Sequence, residues 1–252
     1  NGSAFAYGTN MQVKVYSDGV DIFGTQDEFQ FVFKNIEGDF DFSVRLESLL
    51  ISDPAAKAGI MAREISDVNG PRFDDRHFLS AGFTADPTRN NNFIQYRDEF
   101  SAGAVAPAAP RPPAYYPNNW LRLKRTGAVF QGYSGPDGLN WTPMTAIDTS
   151  TNTSGPFPSL LRVGLAVTSH NRAQTTEAVF SDFGVSKEAV PLTATISGNN
   201  VVVSWPAGTG TTLQATPSLS SPVIWTNVPG SELTSQAVFP ISGGDSFFRL
   251  VK

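Results

Sequence analysis

The chain has no cysteine and only two histidines among its 252 residues. The absence of cysteine excludes disulfides, thiolate metal sites and a cysteine nucleophile, but it does not decide the compartment. With two histidines and no cysteine, a structural zinc site is not expected. No stretch approaches the roughly 20 consecutive apolar residues that a membrane-spanning helix needs. We therefore expect no membrane span.

Basic residues are also few, with 18 Lys and Arg against 23 Asp and Glu and a formal net charge of −5. Such a chain offers no positive field to a phosphate backbone, so nucleic acid is not expected as a partner. Glycine (22), proline (18) and phenylalanine (19) are plentiful. This composition favours short strands joined by tight turns, and the predicted fold class is all-β.

Eight segments alternate apolar and polar residues, as half-buried strands do. They are 28–35, 39–49, 57–65, 76–84, 93–98, 119–134, 161–171 and 175–186. Turns at Thr126-Gly127 and at 136–138 predict a three-stranded meander that begins at residue 119. The segment 101–119 carries five prolines, so it is predicted to be a long surface loop of the kind that often forms a lid or a binding loop.

The composition changes near residues 187–192, which predicts two domains, 1–189 and 190–252. In the second, the stretch "SGNN" predicts a hairpin turn between two short strands. Trp205 and Trp225 are predicted to fill the core of this smaller β domain.

Five stretches of the first domain resemble the concanavalin-A-like, laminin-G-like jelly-roll domains of secreted bacterial multi-domain proteins. They are "DIFGTQDEFQFVF", "GDFDFSVRLESL", "DPAAKAGIMARE", "FQGYSGPDGLNWT" and "VGLAVTSHN". The tail is similar to small fibronectin-like or immunoglobulin-like modules. The resemblance implies a two-sheet antiparallel jelly-roll sandwich that most often binds glycans and sometimes Ca2+. It also implies a secreted or cell-surface location, which fits a mature chain that begins with Asn1.

One predicted strand raises the question of a binding face. Ala58, Ile60 and Ala62 lie on one side of it, and Lys57 and Arg63 lie on the other. Planar polar groups bind sugar hydroxyls, and an aromatic ring covers the apolar face of a sugar. The candidate carbohydrate-binding residues on a concave face are Phe23, Lys57, Arg63, Gln95, Arg97, Tyr115, Tyr116, His170 and Asn171. The alternative is an ordinary solvated sheet face with Arg–Glu pairs.

The leading hypothesis is a non-catalytic module that binds a polysaccharide. Phe23 stands where the resembling domains generally have Trp, which reduces the expected stacking on sugars. The first alternative is a structural or adhesive subunit of a surface layer, filament or adhesin that contacts other copies or domains. The second is a polysaccharide lyase or glycoside hydrolase, for which Asp39 with Asp41, or Tyr96 with His170, are the candidate groups.

A calcium ion is a possible cofactor at a position that the sequence leaves unknown. Asp and Asn oxygens occur near turns in four segments, as Ca2+ ligands do. These segments are 17–21, 38–41, 69–75 and 134–140. None matches the twelve-residue loop of an EF-hand.

Overall fold

The computed structural model describes residues 3–7, 12–65, 74–83, 90–241 and 244–251. The chain forms two compact units, Asn1–Glu188 and Ala189–Lys252. The described residues form strands and one short 3-10 turn, Ser231–Leu233. The predicted all-β fold class is therefore confirmed. Among the same residues, no helix is long and apolar enough to cross a membrane.

The described residues of the first unit form fourteen strands. They are β1 (Ser3–Tyr7), β2 (Gln12–Ser17), β3 (Asp21–Phe23), β4 (Gln26–Glu28), β5 (Gln30–Glu37), β6 (Phe40–Leu49), β7 (Lys57–Glu64), β8 (His77–Phe83), β9 (Asn92–Arg97), β10 (Asn119–Thr126), β11 (Val129–Gly135), β12 (Thr142–Asp148), β13 (Leu160–Thr168) and β14 (Thr176–Val185). Every predicted strand segment overlaps at least one of them, and β10, β11 and β12 form the predicted meander.

Two antiparallel sheets form the sandwich of this unit. One sheet has the strand order β1-β2-β14-β6-β10-β11-β12, and the other has the order β5-β13-β7-β8-β9. Their facing side chains form one apolar core, to which β6 and β10 contribute Val44 and Leu121, while β7 and β13 contribute Ile60 and Val163. The two-sheet antiparallel sandwich that the sequence predicts is confirmed.

The five-stranded sheet is also partly covered on its other face. A second apolar cluster there contains Met61, Leu79, Phe93 and Ala166 from the sheet, together with Ile22 from β3. Ile22 belongs to the β3–β4 hairpin (Asp21–Glu28), which lies across this outer face. As a result every residue of β7 is buried, whichever way its side chain points.

The turn of the β3–β4 hairpin has two residues. Phe23 pairs with Gln26, so Gly24 and Thr25 form the turn. Gly24 has a φ of 56°, in the left-handed region that glycine adopts without strain. Before the hairpin, a Cβ atom on Gly19 would lie 2.0 Å from the carbonyl oxygen of Glu28. Glycine at these two positions therefore allows a sharp turn and a close approach.

Polar side chains of the five-stranded sheet donate hydrogen bonds to backbone carbonyls of the segment 19–28. The hydroxyl of Thr168 donates to Gly19 (2.9 Å) and to Glu28 (3.1 Å). The amide of Gln95 donates to the carbonyl of Ile22, and the guanidinium of Arg97 donates to that of Gly24 (2.9 Å). Buried carbonyl groups need hydrogen-bond donors, and the polar side chains of this sheet face supply them to the backbone that covers it.

A buried ion cluster fixes the hairpin at its second strand. The carboxylate of Asp27, 1 % exposed, accepts two hydrogen bonds from Arg97, at 2.7 and 2.8 Å. Arg63 donates a third at 2.6 Å. Burial alone would raise the pKa of Asp27, but the interaction with His77 in its protonated form, the hydrogen bond from Arg97 and the charges of Arg63 and Arg97 together lower it. Asp27 is therefore a charged anchor between two guanidinium groups.

The second unit contains strands β15 (Thr193–Ser197), β16 (Asn200–Ser204), β17 (Thr212–Thr216), β18 (Thr226–Asn227), β19 (Gln236–Pro240) and β20 (Phe247–Val251). They form two three-stranded sheets, β15-β16-β19 and β18-β17-β20. The predicted hairpin at "SGNN" joins β15 to β16. Trp205 is buried with Val203 and Leu213 in a small core, as predicted. The prediction for Trp225 is wrong, because Trp225 is only half-buried outside that core, with the guanidinium carbon of Arg249 4.4 Å from its ring centroid.

The substitution Asp27→Ala tests the ion cluster. It leaves the buried charges of Arg63 and Arg97 without their shared carboxylate, so we expect it to lower the free energy of unfolding by about 3–5 kcal/mol. The matched control is the neighbouring Glu28→Ala, which removes an exposed ion pair to Arg172 and should cost less than about 1 kcal/mol. Urea unfolding of both variants measures the difference. Equal losses would contradict the anchoring role of Asp27.

His77 in the same cluster predicts a pH dependence of stability. Burial lowers the pKa of His77 from 6.5 to about 3, although Asp27 acts in the opposite direction. The unfolded chain therefore takes up a proton below pH 6.5 that the folded chain does not. The neutral, buried His77 therefore contributes to the free energy of unfolding, and this contribution is fully present above pH 6.5. We expect it to be lost as the pH falls toward 3, at about 1.4 kcal/mol per pH unit.

Urea unfolding between pH 7 and pH 4 measures this loss, and His77→Gln is the comparison because it removes the titrating group. The variant should show a shallower decline of stability with falling pH than the wild type, whatever its own stability at pH 7. Parallel curves for the two proteins would show that His77 does not cause the decline.

Candidate functional site

The outer face of the five-stranded sheet has an open pocket beside the β3–β4 hairpin. The pocket has a volume of about 610 Å3. It is lined by Asp21, Phe23, Ala55, Lys57, Phe83, Asn91, Phe93, Gln95, Ala106, Arg111 and His170. Four of the nine predicted binding residues are among them: Phe23, Lys57, Gln95 and His170.

Three phenylalanines supply the apolar part of the pocket. Phe83 on β8 and Phe93 on β9 stack with their ring centroids 4.3 Å apart. Both belong to the second apolar cluster and are almost fully buried. Phe23, at the end of β3, is 44 % exposed. The pocket therefore combines a rigid aromatic surface with one aromatic ring that is accessible from solvent.

A fixed polar group lies beneath the rim of the pocket. The Lys57 ammonium contacts the Asp21 carboxylate at 2.7 Å and the Gln95 side-chain oxygen at 3.2 Å. It also lies 5.5 Å from the ring centroid of Phe23. Lys57 is only 4 % exposed. These contacts hold the charged group in one position and leave a small part of it at the pocket surface.

His170 connects three chain segments at the side of the pocket. Its Nε2 atom lies 3.3 Å from an oxygen of Asp21, and its Nδ1 atom lies 3.0 Å from an oxygen of Asp53. The residue has a φ of 56°, a conformation that is uncommon outside glycine. The two nitrogens therefore lie close to different carboxylates, although Nδ1 makes no hydrogen bond within the described residues, and part of the ring remains exposed.

The loop between β9 and β10 forms the remaining wall, with Ala106 and Arg111. Arg111 donates a hydrogen bond from Nε to the carbonyl of Pro107 (3.1 Å), and its guanidinium carbon lies 5.3 Å from the ring centroid of Phe93. Backbone hydrogen bonds join the loop to β9 through Val105 and Tyr96. The proline-rich loop therefore runs beside the pocket and shapes it.

The expectation that Arg63 and Arg97 face a ligand needs correction. They are 1 % and 0 % exposed, because the β3–β4 hairpin covers them and Asp27 binds both. Their position on the polar phase of the sheet was predicted correctly. They have no surface with which to meet a sugar, since a short element that the alternation pattern did not reveal lies over them.

The remaining three predicted binding residues lie outside the residues that line the pocket. The hydroxyl of Tyr116 donates to the carbonyl of Phe83 at 2.7 Å, and burial raises its pKa. Tyr115 is half-buried beside it. The side-chain oxygen of Asn171 accepts a hydrogen bond from the backbone of Ala173. The contacts of Tyr116 and Asn171 support local structure.

The candidate calcium segments have other partners wherever they are described. Asp39 accepts from the backbone of Gly127, Asp41 binds Arg122, and Asp137 bonds the backbone of its own turn. Residues 69–73 of one segment lie outside the described residues. Within the described ranges, no group of three or more His, Asp or Glu side chains is suited to a metal ion.

The candidate catalytic pairs are not brought together at the pocket. The ring of Tyr96 packs against Phe78 on the core side of β9, whereas His170 lines the pocket on the outer side. Asp39 and Asp41 hold a turn and an arginine of the seven-stranded sheet.

Sequence reasoning missed several residues of the pocket: Asp21, Ala55, Phe83, Asn91, Phe93, Ala106 and Arg111. A signal was available for two of them. Phe93 shares its phase with Gln95 on β9, and Phe83 lies on the same side of β8 as Leu79 and Ala81. The other residues lie outside the paired sheet strands or at strand ends, where alternation gives no guidance.

No protein-family model matches the sequence, and no curated protein matches it. Solved structures do resemble the fold. A functionally unknown protein from Saccharomyces cerevisiae is 14 % identical, with 73 % of this chain and 91 % of that chain covered and a TM-score of 0.54.

Two further structures are more distant. A mutant of the GH43 protein BlXynB from Bacillus licheniformis is 11 % identical, with 70 % of this chain and 33 % of that one covered and a TM-score of 0.47. The carbohydrate-binding module CBM66 from Bacillus subtilis is 14 % identical, with coverage of 74 % and 92 % and a TM-score of 0.41. At these identities the likeness concerns the fold alone, and it is the yeast protein that supports the sandwich.

Proposed function

We propose that the first unit is a non-catalytic module of a secreted or cell-surface protein and binds a carbohydrate in the pocket beside the β3–β4 hairpin. One observation supports the proposal above all: the exposed aromatic ring of Phe23 and several fixed polar side chains line the same pocket. The resemblance of the sequence to glycan-binding jelly-roll domains points in the same direction.

The chemistry of the pocket suits a sugar ring. Sugars present an apolar face of C–H groups and an edge of hydroxyl groups. Phe23 offers an aromatic face, and the amide of Asn91 and the carboxylate of Asp21 offer donors and acceptors. Gln95 is fully buried and already bound to Ile22 and Lys57, so it orients the ammonium of Lys57. Since Lys57 already fixes Asp21, little ordering entropy would be lost when a ligand binds.

The polar groups of the pocket favour a carbohydrate-binding function over hydrolysis of the bound glycan. Most glycosidases use two carboxyl groups that flank the scissile bond. The pocket residues that the structure describes include one carboxylate, Asp21, and it is engaged with Lys57 and His170. Asp53 contacts the other nitrogen of His170. We therefore propose a binding role for these residues.

The adhesive alternative requires a sheet edge that accepts another strand. β5 is an edge strand of the five-stranded sheet, and it exposes Phe33. It also exposes the charged residues Lys34 and Glu37. Charged side chains on an edge oppose the addition of a strand, so this edge does not favour the alternative over glycan binding.

The substitution Phe23→Ala tests the proposal. Phe33→Ala is a matched control, because Phe33 has the same 44 % exposure and lies outside the pocket. We expect Phe23→Ala to weaken binding about tenfold, which corresponds to about 1.4 kcal/mol, and Phe33→Ala to leave binding unchanged. The measurement is affinity electrophoresis in gels that contain plant, algal and microbial polysaccharides, followed by calorimetry with oligosaccharides of the retained polymer.

Two outcomes would count against the site. If the wild-type protein migrates in every polysaccharide gel as it does in a gel without polysaccharide, the proposed function is wrong. An equal loss of affinity in Phe23→Ala and Phe33→Ala would place the glycan elsewhere. Thermal unfolding of both variants checks that neither has lost its fold.

A further inference from the structure

We infer that the bound carbohydrate is a chain of several sugars that crosses the β3–β4 hairpin, with Phe23 between two sugar positions. One position is the pocket described above, and the other is a second concavity on the outer side of the hairpin. This inference rests on the proposed function and specifies its ligand as an extended stretch of polysaccharide. A ligand confined to the first pocket would be a single sugar or a chain end.

The second concavity has a volume of about 360 Å3. It is lined by residues of the segment 20–28, among them Val20, Asp21, Phe23, Thr25, Gln26 and Glu28. Two of these residues, Asp21 and Phe23, also line the first pocket. The two concavities therefore meet at Phe23, and its aromatic ring forms the boundary between them.

The exposure of Phe23 favours a ligand that contacts the ring from both sides. The residue is 44 % exposed, although the hairpin that carries it is anchored to the sheet. A sugar in the first pocket alone would leave in water the part of the ring that borders the second concavity. A chain that occupies both positions would cover more of the ring, and burial of apolar surface favours binding.

The register of the hairpin places an amide next to this ring. Phe23 pairs directly with Gln26, so their side chains lie on the same face of the hairpin. That face points away from the sheet, because the neighbouring residues Ile22 and Asp27 point toward the sheet and are buried. Gln26 is exposed, and its amide can both donate to and accept from sugar hydroxyls. The second concavity therefore offers an aromatic ring beside a polar amide, the combination that suits a sugar.

The turn of the hairpin is exposed but fixed. The carbonyl of Gly24 accepts hydrogen bonds from the guanidinium of Arg97 (2.9 Å) and from the backbone amide of Ala104 (2.7 Å). A fixed surface loses little conformational entropy when a ligand binds. Because one chain would fill both positions, occupation of the second position adds affinity without a second loss of translational freedom.

Gln26 is the residue that separates the two positions experimentally. It lines the second concavity and is not among the described residues that line the first pocket. The carboxylate of Glu28, in the same concavity, already accepts a hydrogen bond from Nε of Arg172 at 3.1 Å. A substitution of Gln26 therefore changes a contact in the second position and leaves this ion pair and the first pocket in place.

The test is calorimetric titration with an oligosaccharide series, from the monosaccharide to the hexasaccharide, of a polymer that retards the wild-type protein in affinity gels. The proteins are the wild type, Gln26→Ala and Gln236→Ala, of which the last removes an exposed glutamine from β19 in the second unit. We expect the wild-type affinity to rise at least about tenfold from the shortest bound oligosaccharide to the hexasaccharide. Gln26→Ala should bind the hexasaccharide about fivefold more weakly than the wild type, and the shortest bound oligosaccharide equally well. Gln236→Ala should match the wild type at every length.

Each outcome decides the inference. A gain of affinity with length that Gln26→Ala reduces supports it. An affinity that does not change with length, or hexasaccharide binding that Gln26→Ala leaves unchanged, overturns the inference while the proposed function stands. An equal loss for the shortest and the longest oligosaccharide in Gln26→Ala also overturns it, because Gln26 would then contact the sugar in the first position. Binding of no glycan at all overturns both the inference and the proposed function.

Discussion

The carboxylate of Asp27, shared between Arg63 and Arg97, is the interaction on which the rest of the first unit depends. Burying two guanidinium groups is costly unless a counter-charge lies between them. Asp27 supplies that charge from the β3–β4 hairpin, and Asp75 adds a second buried carboxylate 3.7 Å from Arg63. The arginines of the sheet are therefore buried together with the hairpin that carries Asp27. The ion cluster therefore determines where the hairpin lies, and the hairpin in turn forms one wall of the pocket.

This arrangement explains why a sheet face with polar side chains is covered. Gln95, Arg97 and Thr168 point away from the apolar core and meet the carbonyls of the chain that crosses them. The hairpin covers only part of the face. Beside it, Phe83, Phe93 and Gln95 remain at the bottom of an open pocket, which the loop between β9 and β10 completes. One polar sheet face thus performs two tasks, since part of it anchors the covering chain and part of it is available to a ligand.

Alternation predicted the long strands correctly, because each has one side in the main core. It did not identify β1 and β2. It also failed for β3 and β4, which have three residues each and lie on a sheet face, where tertiary contacts decide the conformation. Because β3 and β4 were not predicted, Arg63 and Arg97 were expected to contact a ligand. Alternation placed them on the correct face of the sheet, but it gave no sign of the hairpin that buries them. Phase placed Lys57 and Gln95 on this face, while Phe23 was named for its aromatic ring and His170 for its position at a strand end; all four line the pocket, and their binding role stays a prediction. Arg111 was missed because it lies in a proline-rich loop, where side chains do not alternate between two faces as they do in a strand.

The most direct test of the binding site is to record the backbone amide NMR shifts of isotope-labelled protein. An oligosaccharide from a polysaccharide that retards the protein in affinity gels is added during the measurement. If the glycan binds in the pocket, the shifts concentrate at residues 21–23, 91–95 and 106–111, which come together there. The amides of Arg63 and Arg97 then change little, because the hairpin covers these residues. Shifts confined to β5, to the seven-stranded sheet or to the second unit would show that the glycan does not bind in the pocket.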